Sequence, residues 1–126
     1  MADNAQTMQR MADGFARRDV DQILECFADD GVFELTEGPD PWGERVQGTG
    51  AIRVMLEHMF KTLPDIQFAD ATRWIAGNRG VSEWTCIATT PKGRRLEVRG
   101  CDLFTFRDGK VLRKDSYFKK VVRPKA

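Results

Sequence analysis

The chain has 126 residues, enough to bury a hydrophobic core as a single domain over residues 1–126. Hydrophobic residues make up 41% and charged residues 31% of it, as in ordinary soluble globular proteins, and the formal net charge is only +1. This balance argues against nucleic acid or an acidic membrane surface as the partner. No run of about 18 apolar residues is present that could cross a membrane.

Two helices are predicted at the start of the chain. Apolar residues recur at helical spacing over residues 3–17, with Phe15 on the apolar side and Asp3 or Asn4 suited to the N-cap. A second apolar pattern of the same period covers residues 20–27. Both segments are therefore expected to pack against the core by one face.

A short strand and a long irregular segment come next. Gly31 suits the left-handed position after a helix end, so the second helix is expected to stop there and a strand to cover residues 32–35. Two prolines and three glycines argue against regular structure in residues 36–48. Trp42 lies in the middle of this loop, where it either plugs the edge of the core or folds over a pocket as a lid.

A third helix and a run of strands complete the chain. Residues 50–62 have one broad apolar face that includes Met55 and Met59. After residue 64 the sequence is strand-like, with turns at hairpin spacing, which predicts a four-strand meander. The order indicates an α+β domain, in which three N-terminal helices pack on a strongly curved antiparallel or mixed sheet and leave a cavity between the layers.

The last two strands are predicted to form a long hairpin over residues 94–122. Its turn is at Asp108-Gly109, and one carboxylate, Asp102, lies between apolar neighbours such as Phe104. Since side chains alternate between the two faces of a strand, the turn geometry decides which groups Asp102 meets.

Two registers are open for this hairpin. A two-residue type I′ turn would place Asp102 opposite Asp115, as a pair of carboxylates suited to acid–base chemistry, with Tyr117 on the same face. A three-residue loop with a left-handed bulge would instead place Asp102 opposite Lys114, with Ser116 beside it, as a buried ion pair. In the second register Asp115 and Tyr117 point to the opposite face.

No metal, cofactor or disulfide framework is expected. The three cysteines, Cys26, Cys86 and Cys101, are an odd number without CxxC spacing, and a reducing cytoplasm fits them best. One histidine and scattered carboxylates give no metal-ligand spacing. A solvated tail is predicted for the basic cluster near the C-terminus: Lys119, Lys120, Arg123 and Lys125.

Three stretches of the sequence resemble a known family. They are RDVDQILECFADDGVFE, GTGAIRVMLEHMF and GVSEWTCIATTPKGRRLEVRGCDLFTFRDGKVLRKDSYFKK, and together with the links between them they span nearly the whole chain. They look like the nuclear transport factor 2-like superfamily and are most similar to its small SnoaL-like domains. The resemblance implies a cone-shaped α+β barrel with a deep pocket in the cone. It also implies a homodimer formed through the outer face of the sheet.

Relatives in that superfamily bear on the carboxylates. In ketosteroid isomerase an aspartate in the phrase matching CDLFTF donates a hydrogen bond to the developing oxyanion, and Asp102 takes that position. The isomerase's general base falls on Leu35 and its tyrosine near Met11. The ending KDSYFK is similar to that of limonene epoxide hydrolase, whose water-activating carboxylate falls on Ser116. SnoaL-type cyclases use one carboxylate as acid and base, a part that Asp102 or Asp115 could play.

Two functions are predicted for this pocket. The first is acid–base catalysis of isomerase, cyclase or hydrolase type on a small hydrophobic molecule, with Asp102 as acid or hydrogen-bond donor and Asp115 as a second carboxylate. The alternative is a module that binds a ligand or dimerises without catalysis. The side chains predicted to bind the ligand are Phe15, Trp42, Met55, Met59, Trp84, Phe104, Lys114 and Tyr117.

Overall fold

A computed structural model of the chain describes residues 3–122. The helices are α1 (Asn4–Arg17), α2 (Val20–Glu25) and α3 (Thr49–Thr62). The strands are β1 (Phe27–Glu34), β2 (Arg45–Gln47), β3 (Gln67–Ala76), β4 (Arg79–Thr89), β5 (Arg95–Arg107) and β6 (Lys110–Phe118). The predicted order of elements is confirmed, with β2 as an addition. Arg123 and Lys125 of the predicted basic tail lie outside the described residues.

The strands form one mixed sheet in the order β2-β1-β6-β5-β4-β3. Neighbouring strands are antiparallel except β1 and β6, which are parallel. The helices cover the face that carries Phe33, Phe104 and Phe106, here called the inner face. The outer face carries Leu103 and Asp115, which alternate with those residues. The α+β prediction is confirmed, but the sheet is open and does not close into a barrel.

The first helix packs on the inner face by the side that the sequence predicted. It begins with a capping box, in which the Asp3 side chain accepts a hydrogen bond of 2.8 Å from the backbone N–H of Gln6. Met8, Met11 and Phe15 are buried. In residues 3–122 no helix is both long and apolar enough to cross a bilayer.

The first strand starts earlier than predicted. Phe27 already pairs with Val111 of β6, and the register then shifts before Val32, so residues 28–31 form an irregularity inside β1 and do not end a helix. Gly31 is not among the residues with positive φ. It is needed instead because a Cβ there would lie 2.8 Å from the carbonyl oxygen of Ala28.

The segment predicted to be irregular contains β2. Residues 45–47 pair with the end of β1, because the intervening loop turns tightly enough to bring the chain back. Gly43 has φ 78° and lies against the carbonyl of Leu35, where no Cβ would fit. The prolines and glycines therefore form a tight connection, and the prediction of no regular structure up to residue 48 is wrong at its end.

The last hairpin has the two-residue turn of the first predicted register. It nevertheless places Lys114 and Ser116 on the side of Asp102, as the second register predicted. Asp108 and Gly109 both have positive φ, as a type I′ turn requires, and Arg107 pairs with Lys110. The ladder then shifts by one residue at Leu112, between the pairs Phe106–Val111 and Thr105–Arg113. This bulge was not predicted, and it places Asp102 opposite Ser116.

Candidate functional site

A cavity of about 350 Å³ lies between α1 and the inner face of the sheet. Its apolar wall includes Met8, Met11, Phe15, Phe68, Trp84 and Phe104. Its polar wall consists of Arg18, Gln67, Arg73, Ser82, Asp102 and Lys114. Apolar walls with a few convergent polar groups are typical of small-molecule sites, and this volume is at the small end of their range.

Asp102 is the buried acid of the cavity, with 6% of its surface exposed. Its Oδ2 accepts a hydrogen bond of 2.8 Å from the indole N–H of Trp84. Its Oδ1 accepts from Lys114 Nζ at 3.0 Å and from the Ser116 hydroxyl at 2.6 Å. All three partners donate, which suits a carboxylate and not a carboxylic acid. The role of hydrogen-bond donor, implied for Asp102 by the resemblance to the isomerase, does not fit this arrangement.

Lys114 places an ammonium group beside that carboxylate. It is as buried as Asp102, and it donates a second hydrogen bond of 3.2 Å to the Ser116 hydroxyl. The rings of Phe33 and Phe15 flank it, with their centroids 4.1 and 5.1 Å from Nζ. An ammonium has three N–H donors. Among the described residues the third has no oxygen partner, which makes it the donor that a ligand could meet.

Trp84 reaches Asp102 because Gly100 gives it room. Gly100 is directly opposite Trp84 in the ladder between β4 and β5, and Asp102 is two residues further along on the same face. A Cβ at position 100 would lie 2.5 Å from the Trp84 ring, and closer still to the carbonyl of Tyr117. The indole also packs edge-on against Phe68, at a centroid distance of 4.9 Å. Local packing therefore fixes the hydrogen bond to Asp102.

The family model of the SnoaL-like domain matches residues 8–114, from α1 to the lysine of the buried ion pair. The chain belongs to the SnoaL-like family. Among curated proteins, none matches it.

Solved structures share the fold of this SnoaL-like chain. A candidate polyketide cyclase from Pseudomonas putida is 18% identical with a TM-score of 0.84, over 94% of this chain and 93% of that one. A nuclear transport factor 2-like protein of unknown function from Burkholderia pseudomallei is 23% identical with a TM-score of 0.81, over 94% and 92%. TerC, co-crystallised with polyporic acid, is 24% identical with a TM-score of 0.78, over 92% and 91%. At these identities the likeness shows the nuclear transport factor 2-like fold and no activity.

Part of the predicted lining surrounds the cavity of this SnoaL-like domain. Phe15, Trp84, Phe104, Asp102 and Lys114 all line it. Asp102 and Phe104 share the inner face because side chains alternate along β5, and the bulge in β6 brings Lys114 to the same face. Helical spacing predicted the side of Phe15, and strand alternation with the family resemblance predicted that of Asp102 and Phe104. Their roles in binding or catalysis stay predictions.

Asp115 and Tyr117 lie on the outer face, so their predicted place in the pocket is corrected. The bulge turns both away from Asp102. Asp115 accepts hydrogen bonds of 3.2 Å from the Tyr117 hydroxyl and from Arg113. The Asp115 carboxylate accordingly raises the pKa of Tyr117. Glu34, which is fully buried beside them, pairs with Arg113 and Arg45 at 2.6 Å each. These groups form a polar cluster away from the cavity.

Three further predicted ligand-binding residues lie elsewhere in the SnoaL-like fold. Trp42 is 41% exposed, and its ring lies under the guanidinium of Arg45, 4.6 Å from the centroid. It is therefore neither a plug in the core nor a lid on the cavity. Met55 and Met59 pack against the hydrophobic core. They miss the cavity because its helical wall is α1, whereas α3 lies mainly over β1 and β2, and Met59 packs on a separate part of the core with Cys86 and Val98.

Four polar residues of the cavity were missed by sequence reasoning: Arg18, Gln67, Arg73 and Ser82. Ser82 pairs with Asp102 across β4 and β5, so strand alternation from Trp84 could have found it. Arg18 had no such signal. Its position depends on the junction after α1, where it adopts a left-handed conformation with φ 56°.

The thiols of this SnoaL-like chain are poor nucleophiles. Burial, together with the Asp102 carboxylate, raises the pKa of Cys86 to about 11. Burial is also the main reason that the pKa values of Cys26 and Cys101 are raised. Within residues 3–122, no group of three or more His, Cys, Asp or Glu side chains is arranged to hold a metal ion.

Proposed function

We propose that the cavity binds a small apolar molecule that carries an oxygen acceptor, and that Lys114 and Asp102 act on it as an acid–base pair. The observation that carries this proposal is the buried ion pair, 3.0 Å long, in the wall of an otherwise largely apolar cavity. A buried pair contributes little net stability, because desolvation of both charges offsets their attraction. Its position at a cavity favours a role in function.

The geometry fits proton transfer next to a carbonyl group. The third N–H of Lys114 would donate to the ligand oxygen and stabilise negative charge that develops there. Asp102 Oδ2 accepts only from Trp84, so it retains a lone pair that can take a proton. Isomerisations and aldol cyclisations both begin with such a proton abstraction. The candidate cyclases with this fold, and TerC with polyporic acid, are in keeping with a small organic ligand.

A binding module without catalysis is the second candidate. Two observations favour it: Asp102 already accepts three hydrogen bonds, and the position of the isomerase's general base is occupied by Leu35, which packs against the core. In this case the ion pair would only orient a ligand.

Asp102→Asn separates these candidates, with 2-tetralone, a two-ring apolar ketone, as the probe. We expect the wild-type protein to bind it and to accelerate the exchange of its α-protons for deuterium, followed by NMR in D₂O. The variant should keep its affinity within about threefold, because the cavity is unchanged, while exchange falls about 100-fold or more, the usual contribution of a positioned acid–base group.

Asp13→Asn, the same change at a carboxylate of α1 that does not line the cavity, is the control and should retain both properties. Asp102→Asn leaves a buried ammonium without its partner, so we expect a loss of about 2–4 kcal/mol in unfolding free energy and would first check folding by circular dichroism. Binding without accelerated exchange in the wild-type protein would leave only the binding module. No binding of 2-tetralone or of other one- and two-ring ketones and phenols would disprove both candidates.

We further propose that two copies meet through the outer face and that the protein is cytoplasmic. Trp74, Val81 and Leu103 form an apolar row across three strands of that face, and Trp74 is 50% exposed. Exposed apolar patches of this kind often mark interfaces. The free state of all three cysteines supports a reducing compartment.

A further inference from the structure

The cavity wall carries more positive than negative charge. Three cationic side chains, Arg18, Arg73 and Lys114, line it together with one carboxylate, Asp102, for a net charge of +2. Lys114 and Asp102 neutralise each other in their ion pair. The surplus therefore belongs to the two arginines. The whole chain has a net charge of only +1, so this excess is a property of the site and not of the composition.

Neither arginine is held in an ion pair within residues 3–122. The charge of Arg18 does act on Asp65, whose pKa is lowered first by hydrogen bonds from Thr89 and to a smaller extent by Arg18. No carboxylate of residues 3–122 lies within ion-pair distance of Arg18 or Arg73. Arg73 donates to the Gln9 side chain at 2.6 Å, and Arg18 donates to the backbone carbonyl of Ile66 at 2.6 Å. Both contacts are with neutral oxygens. They hold the side chains in place but leave their charges available to a ligand.

Arg18 also has an unsatisfied donor. Its Nε is buried and has no hydrogen-bond partner in the described part of the chain. A buried donor without a partner is costly, and each one in a folded protein needs an explanation. Arg18 is fixed in this position because it ends α1 in a left-handed conformation and its guanidinium is anchored on Ile66. Nε itself borders no open space, so a bound molecule would meet the terminal N–H groups of the guanidinium, which in residues 3–122 have only the Ile66 carbonyl as a partner.

We infer that the ligand of this cavity is an organic carboxylate: an apolar body of one or two rings, with a carboxylate group that Arg18 binds and Arg73 attracts. The apolar body would lie against Met11, Phe15 and Phe68. A guanidinium presents paired N–H groups that match the two oxygens of a carboxylate. This inference rests on the proposed function and specifies the chemical class of its ligand.

The test compares 2-naphthoate with its methyl ester, which has the same rings and no charge. We expect the wild-type protein to bind the acid at least about tenfold more tightly than the ester in calorimetric titrations, and added salt to weaken only the binding of the acid. Arg18→Met should remove most of this preference, leaving only the part due to Arg73, and should leave the affinity for the ester unchanged. Arg17→Met, at the neighbouring exposed arginine of α1, is the matched control and should behave as wild type.

Arg18→Met also removes the hydrogen bond to Ile66 and so could unfold the protein. In that case Arg18→Lys and Arg73→Gln provide the test instead. Arg18→Lys retains the charge without the paired N–H donors, so the preference for the acid over the ester should become smaller but persist. Arg73→Gln should also reduce this preference and leave the affinity for the ester unchanged. Equal affinity of the wild-type protein for acid and ester, or equal effects of the changes at Arg17 and Arg18, would overturn the inference while the apolar site of the proposed function stands. If neither compound binds and 2-tetralone does not bind either, the proposed function and this inference are both wrong.

Discussion

At the scale of single residues, the surroundings of Asp102 decide what the site can do. A carboxylate that already accepts from an indole, an ammonium and a hydroxyl is held in one orientation. Such a group can receive a proton at its less occupied oxygen, but it has no hydrogen to donate. The proton donor next to Asp102 is therefore Lys114, a residue that sequence reasoning placed in the pocket only for one of two registers.

Cys86 gives a residue-scale test of how well the inner face is shielded. Its pKa is raised to about 11 from an ordinary value of 9.0, so at pH 8 or below the folded protein has about 100-fold less thiolate than a free thiol. We expect its alkylation by iodoacetamide at pH 8 to be slower by at least that factor, and to rise about tenfold per pH unit as the pH approaches 10. Mass spectrometry of the labelled peptide measures this rate.

The same peptide from protein unfolded in urea is the control, and it should react at the rate of a free thiol. The sign of the pH dependence follows from the raised pKa, because raising the pH populates the reactive thiolate. Rapid labelling of Cys86 in the folded protein at pH 8 would contradict the burial of this face.

Individual site residues were predictable where a helix or strand pattern fixed their side. Phe15 was placed by helical spacing, and Asp102 and Phe104 by alternation along a strand whose concave side the family resemblance implied. Arg18 and Arg73 are brought to the cavity by the packing of α1 against β3, a contact between segments far apart in sequence. No local pattern indicates such a contact.

At the scale of elements, the hairpin of β5 and β6 shows why register is difficult to read from sequence. Asp108-Gly109 is a strong signal for a type I′ turn, and the turn forms as expected. Leu112 carries no comparable signal, since leucine is not a residue that marks a bulge. The unpaired residue nevertheless moves Asp115 out of the site and Lys114 into it.

The close packing of β4 on β5 predicts opposite effects for the same substitution at two glycines. Gly100→Ala should lower the unfolding free energy by about 2–3 kcal/mol, because its methyl group would meet the Trp84 ring and a backbone carbonyl that cannot move aside. Gly50→Ala, in α3 with open space around it, should raise that free energy by about 0.5 kcal/mol. Urea unfolding followed by circular dichroism measures both.

Tryptophan fluorescence adds a check on the mechanism of the first effect. Displacement of the Trp84 indole from Asp102 should change its emission in Gly100→Ala and leave it unchanged in Gly50→Ala. Equal stabilities for the two variants would show that Gly100 does not provide the room for Trp84.

At the scale of the whole molecule, the fold was the most predictable feature. Helical patterns followed by strand patterns predicted an α+β domain. Strand-like composition after residue 64, with turns at hairpin spacing, was enough to predict the meander. The parallel pairing of β1 with β6 and the short β2 were not predictable. The short β2 depends on a loop whose prolines and glycines specify where the chain turns but not which strand it then meets, and the pairing of β1 with β6 joins segments about 80 residues apart in sequence.

The proposed dimer is tested by a charge on the outer face. We expect light scattering with size-exclusion chromatography to give a dimer for the wild-type protein and a monomer for Trp74→Glu, because a carboxylate in an apolar interface remains unpaired and desolvated. Val54→Glu is the control, at a 68% exposed apolar residue of α3 in the helical layer, and it should stay dimeric. A wild-type monomer at all concentrations would exclude the outer-face interface.

The position of β6 in the middle of the sheet has a consequence for how the molecule is held together. Among the strands of residues 3–122 it comes last in sequence, yet it joins the pair of β2 and β1 to the three-strand group of β5, β4 and β3. Without β6 these two parts would have no strand between them, and the facing edges of β1 and β5 would have no partner. The same strand carries Lys114 and Ser116, which donate to Asp102. The sheet and the hydrogen-bonded cluster around Asp102 thus depend on one and the same strand.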